Sequence, residues 1–271
     1  MKGAAIGMEK AQRDRAGESV PEDLAARLRE AERIVVLTGA GVSAESGVPT
    51  FRDAQSGLWA RFRPEELATP EAFARDPALV WDWYAWRRSL VSGVEPNAGH
   101  RALAALESLS PGFALVTQNV DGLHRRAGSR RVISLHGDLF RTRCSAGDGP
   151  VESWAETAER PPPCPRCGAP LRPDVVWFGE MLPQAALAEA FELSATCDLF
   201  LSVGTSALVQ PAASLPLAAL RAGVAVAEIN PSETPLSSAV DFAIRGTAGV
   251  ILPALVRAAW PDRRTHGGDL A

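Results

Sequence analysis

The stretch from Ile34 to Asp53, reading I-V-V-L-T-G-A-G-V-S-A-E-S-G-V-P-T-F-R-D, constrains this chain most. An apolar run, Ile34–Leu37, stops at Thr38-Gly39-Ala40-Gly41, and small residues suited to a helix start follow. A buried parallel strand hands over to a helix N-terminus across a glycine turn in this way. Gly39, Gly41 and Ala44 fit the G-x-G-x-x-G/A spacing, which lets backbone approach a pyrophosphate while helix N–H groups face its charge. A tight structural turn is the other reading of the same residues. A dehydrogenase would continue with a second strand ending in an acid about 20 residues on. Phe51-Arg52-Asp53 and a loop containing Gly and Trp stand there instead. Any dinucleotide bound here is therefore not held as in a dehydrogenase.

Further apolar runs end in polar residues. Phe113–Val116 runs into Thr117-Gln118-Asn119-Val120-Asp121-Gly122, and Val132–Leu135 into His136-Gly137. Leu199–Val203 runs into Gly204-Thr205-Ser206, and Val224–Ile229 into Asn230-Pro231-Ser232. Helical spacing marks Pro21–Ala31, Arg61–Leu90, His100–Leu109, Gln184–Ser194 and Ala212–Ala222. Buried parallel strands alternating with helices bring the strand carboxyl ends to one edge, where ligands bind. Between Asp138 and Asp174 the pattern gives way to a Pro-, Gly- and Cys-rich stretch that reads as an inserted module.

A net charge of −4 argues against a broad nucleic-acid-binding face. The most apolar long stretch, Leu208–Ala227, contains Gln210, Pro211, Pro216 and Arg221 and makes a poor membrane span. Met1–Gly17 lacks the apolar core of a secretory signal. Four cysteines in 271 residues do not form a disulfide scaffold, so a reducing, cytoplasmic setting is expected.

Cys164-Pro165-Arg166-Cys167 is a C-x-x-C knuckle, with Cys144 upstream at a spacing found in four-cysteine zinc modules. No fourth cysteine is near. Asp148 or a water completes the tetrahedron, or the loop carries no metal. Cys197, just before an apolar strand, reads as a buried small hydrophobe. Of the four histidines, His100, His124 and His266 have no special context. His136 ends a strand, where an imidazole serves either as a general base or as a satisfied structural group. Tyr84 and Arg87 share a helix face. A phenol beside a guanidinium suits capture of a carboxylate, and it equally describes an arginine stacked on an aromatic-rich helix.

Together these segments resemble the sirtuins, NAD-dependent protein-lysine deacylases. The matching pieces are Gly39–Asp53, Thr117–His124, Leu135-His136-Gly137, Val176-Trp177-Phe178-Gly179-Glu180, Gly204-Thr205-Ser206 and Asn230-Pro231-Ser232, in the family's order over roughly Pro21 to Val256. Tyr84-Ala85-Trp86-Arg87 resembles the Y-x-x-R signature of class III members, which remove succinyl, malonyl and glutaryl groups. The resemblance implies an α/β fold. A Rossmann-like parallel sheet flanked by helices would carry a smaller module, made of a helical insertion and a cysteine-containing, zinc-ribbon-like insertion. It would divide the chain into a tail (1–20), a catalytic unit (21–260) and a second tail (261–271). The unit's large domain would take 21–57, 111–137 and 174–260, and its small module 58–110 and 138–173.

The resemblance also implies roles. Gly39, Ala40, Gly41, Ser43, Ala44 and Glu45 would cradle the NAD pyrophosphate, with Phe51, Arg52 and Asp53 in a loop over the nicotinamide and its ribose. Gln118, Asn119 and Asp121 would line the ribose and carboxamide pocket. Gly204, Thr205, Ser206, Asn230, Pro231, Ser232 and Ala248 would meet the adenosine half. Val176, Trp177, Phe178 and Gly179 would offer a strand edge to an acyl-lysine peptide, and Tyr84 and Arg87 would take an acidic acyl group. His136 would be the general base, with Asn119 also catalytic. Cys144, Cys164 and Cys167 would hold a structural zinc. The implied protein is a monomer acting on acyl-lysine proteins, without nucleic-acid or membrane partners. An NAD-dependent ADP-ribosyltransferase and a non-catalytic NAD or ADP-ribose sensor are the competing readings.

Overall fold

A computed structural model of the chain describes residues 20–49, 63–147, 149–155 and 157–262. The expectations for Phe51, Arg52, Asp53 and Asp148 fall outside these residues. At the centre lies a six-stranded, wholly parallel sheet. Its strands are β1 (Ile34–Thr38), β2 (Ala114–Thr117), β3 (Val132–Ser134), β6 (Leu199–Val203), β7 (Ala225–Asn230) and β8 (Phe242–Arg245), in the order β3-β2-β1-β6-β7-β8. An antiparallel pair, β4 (Gly137–Cys144) and β5 (Leu171–Val175), forms a separate ribbon.

Every residue of β1, β2 and β6 is buried, as strands covered on both faces require. On one face, α1 (Glu22–Glu30), α6 (Ala98–Leu109) and α10 (Ala248–Ala259) pack Leu24, Leu28, Leu103, Leu106, Ile251 and Leu255 against Val36, Leu115 and Leu201. Residues 98–109, assigned from sequence to the helical insertion, thus pack with the sheet. On the other face, α8 (Gln184–Thr196) and α9 (Leu215–Arg221) bring Ala190, Leu215 and Ala219 against Leu37, Val116 and Phe200. Cys197 is buried in this layer, as expected of a small hydrophobe.

The helical stretch expected over Arg61–Leu90 is divided, in its described part, into α3 (Pro64–Leu67), α4 (Pro70–Arg75) and α5 (Pro77–Ser92). Each begins on a proline, whose missing N–H and fixed φ suit a first helical position and stop a preceding helix. Thr69 Oγ1 accepts from Ala72 N at 3.1 Å, and Asp76 Oδ1 from Leu79 N at 3.0 Å, so two of the breaks are capped. Short α2 (Gly41–Ala44) and α7 (Leu123–Arg126) follow β1 and β2 directly.

The ribbon leaves the sheet at a single residue. Gly137 has φ +85°, and a Cβ there would lie 2.0 Å from the Asp174 carbonyl oxygen. Only glycine allows the strand to turn out of β3 against β5 at that distance. Gly137→Ala should therefore lower stability by on the order of 2 kcal/mol in urea titrations. A shift in midpoint worth less than about 0.5 kcal/mol would show that the ribbon tolerates a side chain there.

Candidate functional site

The carboxyl ends of β1, β2, β6 and β7 are joined by their own backbone. Gly39 N donates to Val203 O at 3.1 Å, Gly41 N to Gly204 O at 2.8 Å, Gln118 N to Thr38 O at 3.0 Å and Gly204 N to Ile229 O at 2.9 Å. A Cβ on Gly41 would sit 2.7 Å from Gly204 O, so the two turns meet backbone to backbone. The N–H groups of Ala40, Thr205 and Ser206 find no acceptor among the described residues. Unused donors beside a crowded glycine turn fit a pyrophosphate, and this rim accommodates a dinucleotide.

Beneath the rim lies a buried polar knot. Ser43 Oγ donates to Asp121 Oδ2 at 2.7 Å and lies 3.2 Å from Asn119 Nδ2 and 3.3 Å from His100 Nε2. The partners settle the His100 tautomer. Asn97 N, which can only donate, meets His100 Nδ1 at 3.3 Å, so the imidazole hydrogen is on Nε2 and is given to Ser43. One hydroxyl thus uses its single hydrogen and both lone pairs. Asn119 Nδ2 also donates to Gly39 O at 3.1 Å, and Gln118 Nε2 to Thr205 Oγ1 at 3.0 Å. His124 Nε2 lies 2.9 Å from Thr38 Oγ1, itself bonded to Thr117 Oγ1 at 2.8 Å. Burial drives His100 down to about 4, with Arg101 adding to the effect, and His124 down to about 3, with His100 adding. Burial raises Asp121, against the bonds from Leu123 N and Ser43.

Neither His100 nor His124 stood out in the sequence. The available signal was Asn97-Ala98-Gly99-His100, an asparagine cap with the histidine at the third helical position. His100 there completes a reciprocal cap with Asn97.

His136 is half-buried at the end of β3, with Nδ1 2.9 Å from the Gln118 carbonyl oxygen. A carbonyl only accepts, so Nδ1 carries the hydrogen and Nε2 keeps its lone pair. Nε2 has no partner among the described residues. Burial lowers the His136 pKa, against the raising effect of the Gln118 bond, and keeps the ring neutral near pH 7. Gln118 carries the imidazole while the next residue, Asn119, is held by Ser43. The expected catalytic pair, His136 and Asn119, is therefore tied together through adjacent residues of the loop after β2.

The turn after β7, expected to meet adenosine, is braced separately. Asn230 Nδ2 donates to Ser232 O at 2.9 Å. The buried Glu228 carboxylate accepts from Thr234 Oγ1, Ser237 Oγ and Arg245 Nη1 and so fastens the turn that follows. Ala248 opens α10, and Glu45 Oε2 accepts from Gly249 N at 2.7 Å at that helix's positive end.

Val176–Glu180 is a turn following β5. Four of its N–H groups are already used: Val176 N on His136 O, Trp177 N on Glu180 Oε2 and Phe178 N on Ala68 O, each at 2.9 Å, and Glu180 N on Trp177 O at 3.0 Å. Trp177 is buried and Phe178 is exposed. Trp177 Nε1 donates to Tyr84 Oη at 2.9 Å. Tyr84 and Arg87 are both buried on α5, with the Arg87 guanidinium over the Trp83 ring. The surface-helix alternative thus gives way to a buried phenol and guanidinium.

Cys144, Cys164 and Cys167 bring their sulfurs within 4.8 Å of one another, with Cys144 and Cys167 at 3.4 Å. Burial disfavours ionisation of Cys164, yet the N–H groups of Arg166 and Cys167 and the neighbouring thiols hold it at about 7. A tetrahedral zinc with bonds of about 2.3 Å spaces its sulfurs by roughly 3.8 Å. The three thiols therefore fit three of its positions, and Asp148, one of the alternatives for the fourth, lies outside the described residues. No helix among the described residues is long and apolar enough to cross a membrane.

A model of the Sir2 family matches residues 39–211. NAD-dependent protein deacylase 1 of Pseudomonas aeruginosa is 54% identical over 242 residues, covering 86% of this chain and 97% of the relative. Among solved structures, a Sir2 homologue in complex with NAD superposes with a TM-score of 0.83 at 51% identity, covering 90% of this chain and 95% of that one. A 2′-O-acetyl-ADP-ribose complex of a mutant Sir2 homologue gives 0.82 at 51%, covering 89% and 96%.

The buried histidines dictate an acid response. An unfolded His100 takes up its proton near pH 6.5 and the folded one near 4, so folding loses stability as the pH falls through this window. Relative to His100→Asn, the wild type should lose on the order of 3 kcal/mol between pH 7 and 4 in urea denaturation. Parallel profiles would mean that His100 is charged in the fold.

Proposed function

We propose, for a chain that belongs to the Sir2 family and is an NAD-dependent protein deacylase, that its preferred cargo is an acidic acyl group on lysine. Succinyl and malonyl are the leading candidates, with acetyl also removed. The observation carrying this reading is the buried pair on α5. Tyr84 is 2% exposed and Arg87 9%. The phenol hydrogen of Tyr84 has no acceptor among the described residues, and burial raises its pKa, so it remains a donor across the working range. A guanidinium beside a phenol suits recognition of a carboxylate through charge and hydrogen bonds together. A succinyl or malonyl group carries such a carboxylate, whereas an acetyl group does not.

When bound, NAD supplies a ribose carbon that parts from nicotinamide and accepts the acyl oxygen. The protein's residues hold and protect that exchange. Ala40, Thr205 and Ser206 offer N–H groups to the pyrophosphate, and the Asn230–Ser232 turn seats the adenosine. Asn119, fixed through Ser43 and Gly39, and Gln118, fixed through Thr205, line the nicotinamide ribose. His136 Nε2 takes the proton of a ribose hydroxyl, which frees that oxygen to carry the acyl group away. The Nδ1–H bond to Gln118 O spreads the charge that the ring then acquires. Val176–Gly179 lies against the peptide, and Phe178, the exposed aromatic of that turn, covers the acyl-lysine stem. A zinc held by the three cysteines would anchor the far end of the β4–β5 ribbon, away from this chemistry.

Arg87→Met should lower kcat/KM for a succinyl-lysine peptide by at least about 30-fold, the cost of about 2 kcal/mol for breaking a buried charge pair, while acetyl-lysine falls much less. Equal losses on both peptides would assign Arg87 to the fold alone. His136→Ala should abolish deacylation but leave NAD binding measurable by calorimetry. Retained turnover would remove the imidazole from the reaction.

A further inference from the structure

Trp177 occupies a more restricted position than peptide seating requires. Its indole packs against two side chains. The Arg172 guanidinium carbon lies 3.4 Å from the ring centroid, and the Phe73 ring lies 5.2 Å away, tilted by 43°. Arg172 is itself immobilised. It is 7% exposed and binds both oxygens of Glu180, at 2.6 and 2.9 Å, and the Val175 carbonyl at 2.8 Å. Glu180 closes the loop by accepting from Trp177 N at 2.9 Å. The side chain at 177 thus has one rotamer and one direction for its N–H.

That direction is toward Tyr84 Oη, 2.9 Å away. An indole N–H can only donate, so the phenol oxygen must accept, and the phenol hydrogen has to turn to its other in-plane position. Without Trp177 the hydroxyl would have two such positions and would divide its time between them. We infer that Trp177, packed against Arg172 and Phe73, is a positioning residue for acyl-group choice: it fixes the Tyr84 hydroxyl as a donor to the acyl carboxylate. The turn that lies against the peptide backbone thereby also sets the orientation of the acyl-binding phenol. This rests on the acidic-acyl reading above. Tyr84 stays protonated, so the device does not depend on pH within the working range.

The test compares succinyl- and acetyl-lysine versions of one peptide with wild type, Trp177→Phe, Tyr84→Phe and the double variant. Trp177→Phe keeps a flat ring against Arg172 and Phe73 but loses the N–H. The ratio of kcat/KM for succinyl over acetyl should fall by about 2-fold, as expected when the donating position is populated about half the time rather than always. In the Tyr84→Phe background, the same change should leave the ratio where Tyr84→Phe alone had put it. Replacing Trp177 by 3-benzothienylalanine, which has the indole's shape without its N–H, should give the same ratio if Trp177→Phe folds poorly. A ratio unchanged by both replacements, or two additive losses in the double variant, would overturn the inference and leave the acidic-acyl reading intact. A wild type with no succinyl preference, unaffected by Arg87→Met, would overturn both.

Discussion

The Ser43 hydroxyl is the contact on which the rest of the site depends. It accepts from α6 through His100, accepts from the β2 loop through Asn119, and donates to Asp121. Two segments distant in sequence, α6 and the loop after β2, are thereby fixed to the first turn after β1. The group is buried and fully bonded, and such networks lose heavily when one member is removed. Loss of Ser43 would leave a buried aspartate and an asparagine amide without their shared partner, and the loop carrying Gln118 would loosen. Since Gln118 O holds His136, a defect in the knot would reach the imidazole through a single peptide unit.

Above the knot the architecture provides close approach of backbones. Parallel strands bring four loops to one rim, and the turns after β1 and β6 pack with no room for a Cβ between them. Backbone donors are left unused in this crowded place, which suits an anion that must lie flat on the chain. The ribbon leaves the sheet immediately after His136, two residues beyond the end of β3. The rim, His136 and the Val176–Glu180 turn are consequently adjacent, His136 meeting Gln118 O on one side and Val176 N on the other.

Much of this was legible in the sequence because it is written in contiguous stretches. Ile34–Leu37 is an uninterrupted apolar run and Leu199–Val203 is broken only by Ser202, and each is a buried strand of the parallel sheet, at Ile34–Thr38 and Leu199–Val203. The glycines and polar tails that follow them fall at the expected edge. His100 and His124 were not legible. Their importance comes from the packing of α6 against α7, and the only local signal was the asparagine cap three residues before His100. The β4–β5 pair was missed because it alternates imperfectly around a register shift between Asp138 and Thr142. Short β8 carries only four residues and a half-exposed pattern. Tyr84 and Arg87 were legible as a pair, but their burial was not. The aromatic residues that cover them, Trp83 and Trp177, come from two parts of the chain.

The central claim is that the fold presents a neutral imidazole with its hydrogen committed to Gln118 O and its other nitrogen free at the cofactor rim. Nitrogen-15 histidine NMR of the whole chain, assigned at His136 by comparison with His136→Ala, reads this directly. Expected is a neutral ring at pH 7 with the hydrogen on Nδ1, titrating below the ordinary value of 6.5. A ring protonated on Nε2 alone, or fully charged at pH 7, would contradict it.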